Sequence, residues 1–595
     1  MAETPMIWAS GARKEAMALL GSLWANGSTA SRERIVETLL AGPPEDLLAR
    51  VSEEDRERSR DRRIFDRLTV VARVGDPPLD PRLRSELDRI EAAYPEWAAP
   101  EGERAMFSTW SEFRLGPDTD FGVDDLAQLP QGELVSTLQG TTDLREGLLD
   151  AWKQFADTEP EGAIAVLELI AHSANPGPGD IWEYGLWGLR ESAKRPERRS
   201  RILAALELVP DTLINEPDLA RACADFLEAV AGSRPSPTGE DAVWRLFDRT
   251  LAAVADDPYN VQAADEHDAV SHAINNALGR LSQAFFALLF GRSLKVSSRI
   301  PDDLRQRADA LVSPGVPSHR PARVIAASRL SYLFAVDPDW TQVSLIPSFD
   351  WAQDDTEAAA VWQGYAWQPR VDEKLWPDLR PFFLATFEPD HLARIGEMAK
   401  SLAQLLMLVG IDLDRDQLPA VAVRNALRSM TDRLRASALS WIETFLAQPD
   451  EPEDELPGKP PSRSADSLWN ERVAPWLQQV WPVEVELRST STSEQFARIA
   501  IATNARFSDA VDLLTPFMVR TNAFYELHLL AGSAHPDLHP RATVRLIDAL
   551  ADRPSLQMGT GDLGPILERV RAADASIVNL AAFNELRNLV QANPQ

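Results

Sequence analysis

Residues 392–410, LARIGEMAKSLAQLLMLVG, set Leu392, Ile395, Met398, Leu402, Leu405, Leu406 and Val409 at three- and four-residue steps. That rhythm lines one face of an α-helix with apolar side chains, and Gly410 then offers a left-handed stop. The same rhythm recurs almost everywhere along the chain, so helix is the dominant expected state. Many of the 43 prolines sit where a helix should begin, as in His319-Arg320-Pro321-Ala322-Arg323 and His539-Pro540-Arg541, a position that tolerates the missing N–H. Alternating runs of strand type are scarce. The best, Val483-Glu484-Val485-Glu486-Leu487, is short and follows Pro482, which allows one extended connector or small hairpin. Amphipathic helices separated by Pro, Gly and Asp over hundreds of residues predict an all-α fold of antiparallel pairs stacked as a HEAT-like solenoid. No strict repeat at constant spacing is present, so the solenoid is expected to be irregular.

A chain of 595 residues is too long for one hydrophobic core, and 44% hydrophobic residues with 17 Trp and 21 Phe supply ample area to bury. The segment 449–466, PDEPEDELPGKPPSRSAD, has only Leu456 to bury and reads as an exposed acidic linker. A weaker boundary falls between Arg114 and Gln139, where Gly116, Pro117, Gly122, Pro130 and Gly132 crowd together. The expected divisions are an N-terminal helical unit (1–130), a central array (131–448), the linker (449–466) and a smaller C-terminal helical unit (467–595).

With 61 basic against 91 acidic side chains the net charge is −30, a field that repels a phosphate backbone, so nucleic acid is an unlikely partner. The run Lys194, Arg195, Arg198, Arg199 and Arg201 is the local exception, read as a solvated helix start before a phosphate contact. A single cysteine, Cys223, precludes a disulfide within the chain and suits a reducing cytoplasm. Its place in the stripe Leu219, Ala222, Cys223, Phe226, Val230 predicts a small buried hydrophobe. The start of the chain lacks the pattern of a secretory signal, and the apolar runs Phe285 to Phe290 and Leu405 to Val409 are too short to span a bilayer.

Chemistry-bearing motifs are few, and no catalytic, cofactor or metal site is assigned. Gly559-Thr560-Gly561-Asp562-Leu563-Gly564 matches a dinucleotide fingerprint as a string, but Arg541 to Leu550 before it is helical by periodicity where the fingerprint needs a buried strand. An inter-helix loop is expected there. His528, His535 and His539, with Glu526 and Asp537 nearby, carry ligand types suited to zinc, yet two of the histidines precede prolines at helix entrances and no HExxH spacing exists. His267 and His272 flank Asp268 at a step that does not align them on one helix face, so capping or surface roles are expected. The absence of a Walker lysine loop, a GxSxG elbow or a His–Cys pair leaves non-catalytic function as the leading expectation. A hydrolase with a carboxylate/His site gathered from distant helices, or a general helical scaffold, is the alternative.

The richest local cluster is Trp362-Gln363-Gly364-Tyr365-Ala366-Trp367-Gln368-Pro369-Arg370, followed by Trp376, with Trp340 and Trp351 upstream. Aromatics beside an arginine anchor interfaces, which makes Trp362, Tyr365, Trp367, Arg370 and Trp376 candidate partner-binding residues. Gly364 between bulky neighbours suits close helix packing equally well.

Several segments resemble the helical C-terminal region of large bacterial sirtuin-like antiphage defence proteins: Ala273 to Leu281 (AINNALGRL), Pro321 to Phe334 (PARVIAASRLSYLF) with Asp339-Trp340, and Trp362-Gln363-Gly364 to Trp367. Phe507 to Val511, Pro540 to Leu550 and the stretch from Arg62 through Pro95-Glu96-Trp97 to Phe107-Ser108-Thr109-Trp110 are similar too. In that family an N-terminal sirtuin-type domain hydrolyses NAD on infection, and the helical region acts as sensor and regulator. No such NAD-binding domain is recognisable here, so the family's catalytic residues have no positions to be carried onto. The resemblance implies a sensor half, separate or cut from a longer polypeptide, whose partner is a phage protein or an NAD-hydrolase effector.

Overall fold

The computed structural model describes residues 8, 20–25, 27–44, 56–74, 78–94, 97, 122–140, 145–261, 268–371, 373–413, 418–447, 464–558 and 561–592. The chain forms two compact units, Met1–Pro117 and Asp118–Gln595. Among the described residues helices are the only regular elements and there is no strand, only an isolated bridge between Thr521 and Ala551.

Among the described residues of the first unit, the helices Thr29–Ala41, Arg56–Val74 and Pro81–Ala93 pack together, and the core includes Trp24, Leu39, Phe65, Leu68 and Leu87. Two of them start on side-chain caps: Ser28 accepts from Ser31 N at 3.2 Å, and Asp80 accepts from Arg82 N at 2.8 Å. Buried Asp61 accepts from Arg89 at 2.7 Å, which holds the second helix to the third.

The second unit is an irregular two-layer solenoid. In one layer each helix packs on the next in the order Arg145–Thr158, Gly179–Leu189, Pro217–Ala231, Ala277–Gly291, Arg320–Ala327, Asp355–Trp367, Ala399–Leu408, Asp432–Ala447 and Thr490–Ala502. Gln131–Gln139, Pro160–His172, Pro196–Leu208 and Asp241–Val254 begin the second layer in the same manner. One apolar core runs from Leu126 to Leu586. This is the stacked-pair logic of a repeat array, in which a helix pair buries its greasy face only against its neighbours.

The repeat hidden from the sequence emerges in the ion pairs. Arg198 to Glu161, Arg201 to Glu168, Arg199 to Glu240, Arg249 to Asp211, Arg323 to Glu357, Arg498 to Glu526 and Arg569 to Asp537 all join residues 28 to 41 positions apart, one helix pair to the next. Several of these arginines also donate to the carbonyls that end a preceding helix. Arg323 reaches Val312, Ser313 and Val316 at 2.8 to 3.0 Å, and Arg569 reaches Ala531 and Ser533 at 2.7 and 2.6 Å. A planar five-donor fork can grip a carboxylate and a helix end at once with more donors and a wider reach than an ammonium's three. Lysine accordingly appears only at Lys14, Lys153, Lys194, Lys295, Lys374, Lys400 and Lys459 among the 61 basic residues.

Several expectations change. The unit boundary, at Pro117, falls inside the stretch Arg114 to Gln139 but ahead of the division drawn at residue 130, so Val123–Gln128 belongs to the longer unit. Most of the linker, 449–463, falls outside the described residues, but Asp432–Ala447 packs on Thr490–Ala502 across it. Residues after 466 therefore continue the same core instead of forming a separate C-terminal unit. Val483 to Leu487 is an exposed connector ending in a 3-10 turn, Val485–Leu487. The stretch 392–410 breaks at Gly396, whose φ of 60° only glycine adopts without strain, and the chain restarts at Ala399. Gly410 is no stop. It lies inside a π-turn, Val409–Leu413, where a Cβ would stand 2.6 Å from the Trp476 ring.

Candidate functional site

The helix Asp355–Trp367 carries most of the aromatic cluster. Asp354 caps it by accepting from Thr356 N and Glu357 N at 2.9 and 3.0 Å, with Asp355 and Glu357 adding negative charge where the helix dipole is positive. Three alanines follow, and the helix ends at Gln368 before Pro369. Nearly every side of it is buried. Gly364 lets it cross Arg320–Ala327 so closely that a Cβ would meet the Val324 carbonyl oxygen at 2.3 Å. Buried Gln363 accepts from Ala269 N at 2.9 Å and donates to the Arg394 carbonyl at 2.9 Å, tying three segments together.

Of the five candidate partner-binding residues, Trp362, Tyr365 and Trp376 are 0%, 1% and 3% exposed, Trp367 is half-buried and Arg370 is exposed. The Trp362 indole packs edge-on to Phe349 at 4.9 Å and donates to the Phe349 carbonyl at 3.1 Å; the Trp376 ring packs edge-on to Phe383 at 5.2 Å. Tyr365 donates to the Arg370 carbonyl at 3.1 Å. These three rings form an internal hub, leaving Arg370 and part of Trp367 at the surface.

Beside the hub opens a cleft of about 290 Å³, lined by Asp350, Trp351, Ala352, Pro381, Phe382, Ala385, Glu388 and His391. Four short segments build it. The chain leaves the 3-10 turn Ile346–Phe349 into Asp350 and Trp351. Trp376–Phe383, with Pro381 inside its last turn, passes into a 3-10 turn, Leu384–Phe387, that leads to the helix Pro389–Ile395 bearing His391. The His391 ring lies flat on Trp351, centroids 3.9 Å apart and planes at 12°, and its Nδ1 lies 2.7 Å from the Ala385 carbonyl. Trp351 is 5% exposed and its indole N–H has no acceptor. Sequence reading singled out Trp351 but none of the other lining residues.

The remaining candidates do not converge. His535 Nε2 is 2.9 Å from the Ile501 carbonyl and its ring stacks on Phe507; desolvation holds its pKa below the usual histidine value. His539 meets Ser508 at 3.0 Å, exposed His528 meets Asp562 at 3.3 Å, Glu526 pairs with Arg498 and Asp537 with Arg569. Among the described residues no three His, Cys, Asp or Glu side chains gather as metal ligands. Gly559 and Thr560 lie outside the described residues, and the helix Arg553–Met558, not a strand, precedes them. His267 is also outside, while half-buried His272 lies against Tyr259 at 5.1 Å. Burial pushes the Cys223 thiol up to about 12, far from a thiolate at neutral pH. In the basic run, Lys194 pairs with Glu191, Arg198 with Glu161, Arg199 with Glu240, and Arg201 with Glu161 and Glu168. Those side chains serve as braces. No described helix is long and apolar enough to cross a membrane.

Fold and packing together define an all-α helical-repeat protein. No protein-family model matches the chain. A curated relative, the uncharacterized protein y4cA of Sinorhizobium fredii, is 23% identical over 597 residues, which cover 97% of this chain and 47% of that protein. The chain thus spans about half the length of the curated relative it matches.

Proposed function

We propose that the chain is a non-catalytic interaction module, a helical array that binds a protein partner and regulates an effector. Its setting, on this reading, is a bacterial antiphage system of the kind the sequence resembles. The effector is then a sirtuin-type NAD hydrolase and the trigger a phage protein. Stacked helix pairs suit the role because they expose long continuous surfaces on a frame braced locally at every step. The observation that carries the proposal is the alignment of 97% of this chain with only 47% of its S. fredii relative. About half of that relative lies outside the match, room for a second domain on this reading.

The test is affinity purification of the chain from infected and uninfected cells, with cellular NAD measured alongside. Recovery of a phage protein or an NAD hydrolase, with NAD loss only when the hydrolase is present, is the expected result. NAD depletion by the purified chain alone overturns the non-catalytic assignment.

A further inference from the structure

The polar groups of the cleft beside the aromatic hub are two carboxylates, the His391 imidazole and the Trp351 indole N–H. Asp350 and Glu388 bring carboxylates, and no lining residue is a lysine or arginine. Glu388 has its side chain 67% exposed, with Oε2 4.0 Å from His391 Nδ1. His391, with its Nδ1–H given to the Ala385 carbonyl, leaves Nε2 as an acceptor when the ring is neutral. The rest of the lining is ring and methyl surface from Trp351, Phe382, Pro381, Ala352 and Ala385. Around it lies a chain of net charge −30, which draws in basic partners over long range.

We propose that this cleft receives an arginine side chain from an exposed segment of a partner protein, its guanidinium against Glu388 and Asp350 and its stem along Phe382, Pro381 and Trp351. The inference rests on the interaction-module reading and gives the partner a chemistry. The volume of about 290 Å³ suits one long side chain, at the low end of the range for small-molecule sites. Arginine fits better than lysine because its flat, weakly hydrated guanidinium stacks on rings while its donors fork onto a carboxylate.

The experiment uses the full chain and a fluorescein-labelled peptide, Gly-Ser-Arg-Ser-Gly, with two counterparts carrying citrulline or lysine in place of arginine, read by anisotropy at low salt. Citrulline keeps the shape and removes the charge, so binding should weaken by about tenfold, as expected for loss of one charge-assisted contact. Glu388→Gln should weaken the arginine peptide by about fivefold or more, and Ala352→Trp should abolish binding by filling the cleft, both with unchanged thermal melting. Asp256→Asn, an exposed charge removed elsewhere in the array, should change nothing. Equal binding of the citrulline peptide, or equal weakening by Asp256→Asn and Glu388→Gln, overturns the assignment. A protein partner that copurifies with the wild-type chain and is retained by Ala352→Trp also overturns it, while leaving the module reading intact. Loss of that partner in Ala352→Trp supports both.

Discussion

Arg323 holds both carboxylate oxygens of Glu357, its Nε donating to Oε1 at 2.6 Å and its Nη2 to Oε2 at 2.9 Å, with the arginine only 1% exposed. The same guanidinium closes the end of the Asp302–Val312 helix through its carbonyl contacts, so one side chain couples three helices of the array.

Glu357→Gln should therefore be costly, because it strands a buried cation. Breaking such a pair from one side removes about 3–5 kcal/mol. Arg323→Lys, which keeps the charge and loses the fork, should also lower the urea midpoint. A midpoint within error of the parent for both variants would mean the pair contributes nothing to the array.

Two glycines make a contrast. Gly364→Ala forces a methyl onto the Val324 carbonyl and should destabilise by about 1–3 kcal/mol as the two helices separate. Gly532→Ala, at the end of the helix Phe524–Gly532 with open space around the new methyl, should be neutral or stabilising by about 0.5–1 kcal/mol. Chemical denaturation of the two variants side by side checks the sign of each.

Burial, helped by the neighbouring carboxylates of Asp218 and Asp180, pushes Glu183 up to about 7 from its ordinary 4.5. The folded chain then holds the proton more tightly than the unfolded chain. Its contribution to stability is intact below about 4.5 and is lost as pH rises to about 7. Glu183→Gln should match the parent in acid and exceed it above neutrality. Thermal melts across that window decide the matter, and a constant offset at every pH would exclude titration of Glu183 as the cause.

Trp362 and Arg370 separate packing from partner contact. Trp362→Ala should cost about 3–5 kcal/mol through the cavity it opens, while Arg370→Ala, at the surface, should stay within about 0.5 kcal/mol of the parent. Partner capture lost in Arg370→Ala with an unchanged melt would place that arginine in the interface; retained capture would leave it a solvated side chain.

Helix was legible from the three- and four-residue rhythm, and so were the proline-led starts at Arg320–Ala327 and Pro540–Leu550. Where helices turn was harder to read. Gly396 and Gly410 look alike in sequence, and only packing makes the first a break and the second a contact for Trp476. The tryptophans of the hub were ambiguous because large rings favour interfaces and interiors alike. The cleft escaped notice because its lining comes from separate short segments. Trp351 and His391 nevertheless lie about one helix pair apart, the spacing at which the ion pairs recur. The period was written in arginine and carboxylate partners rather than in repeated residues.

The arginine braces named above join one helix pair to the next, so they pass tension along the array step by step. Pulled on, such an array should yield rung by rung and recoil the same way, each helix pair reforming on its neighbour.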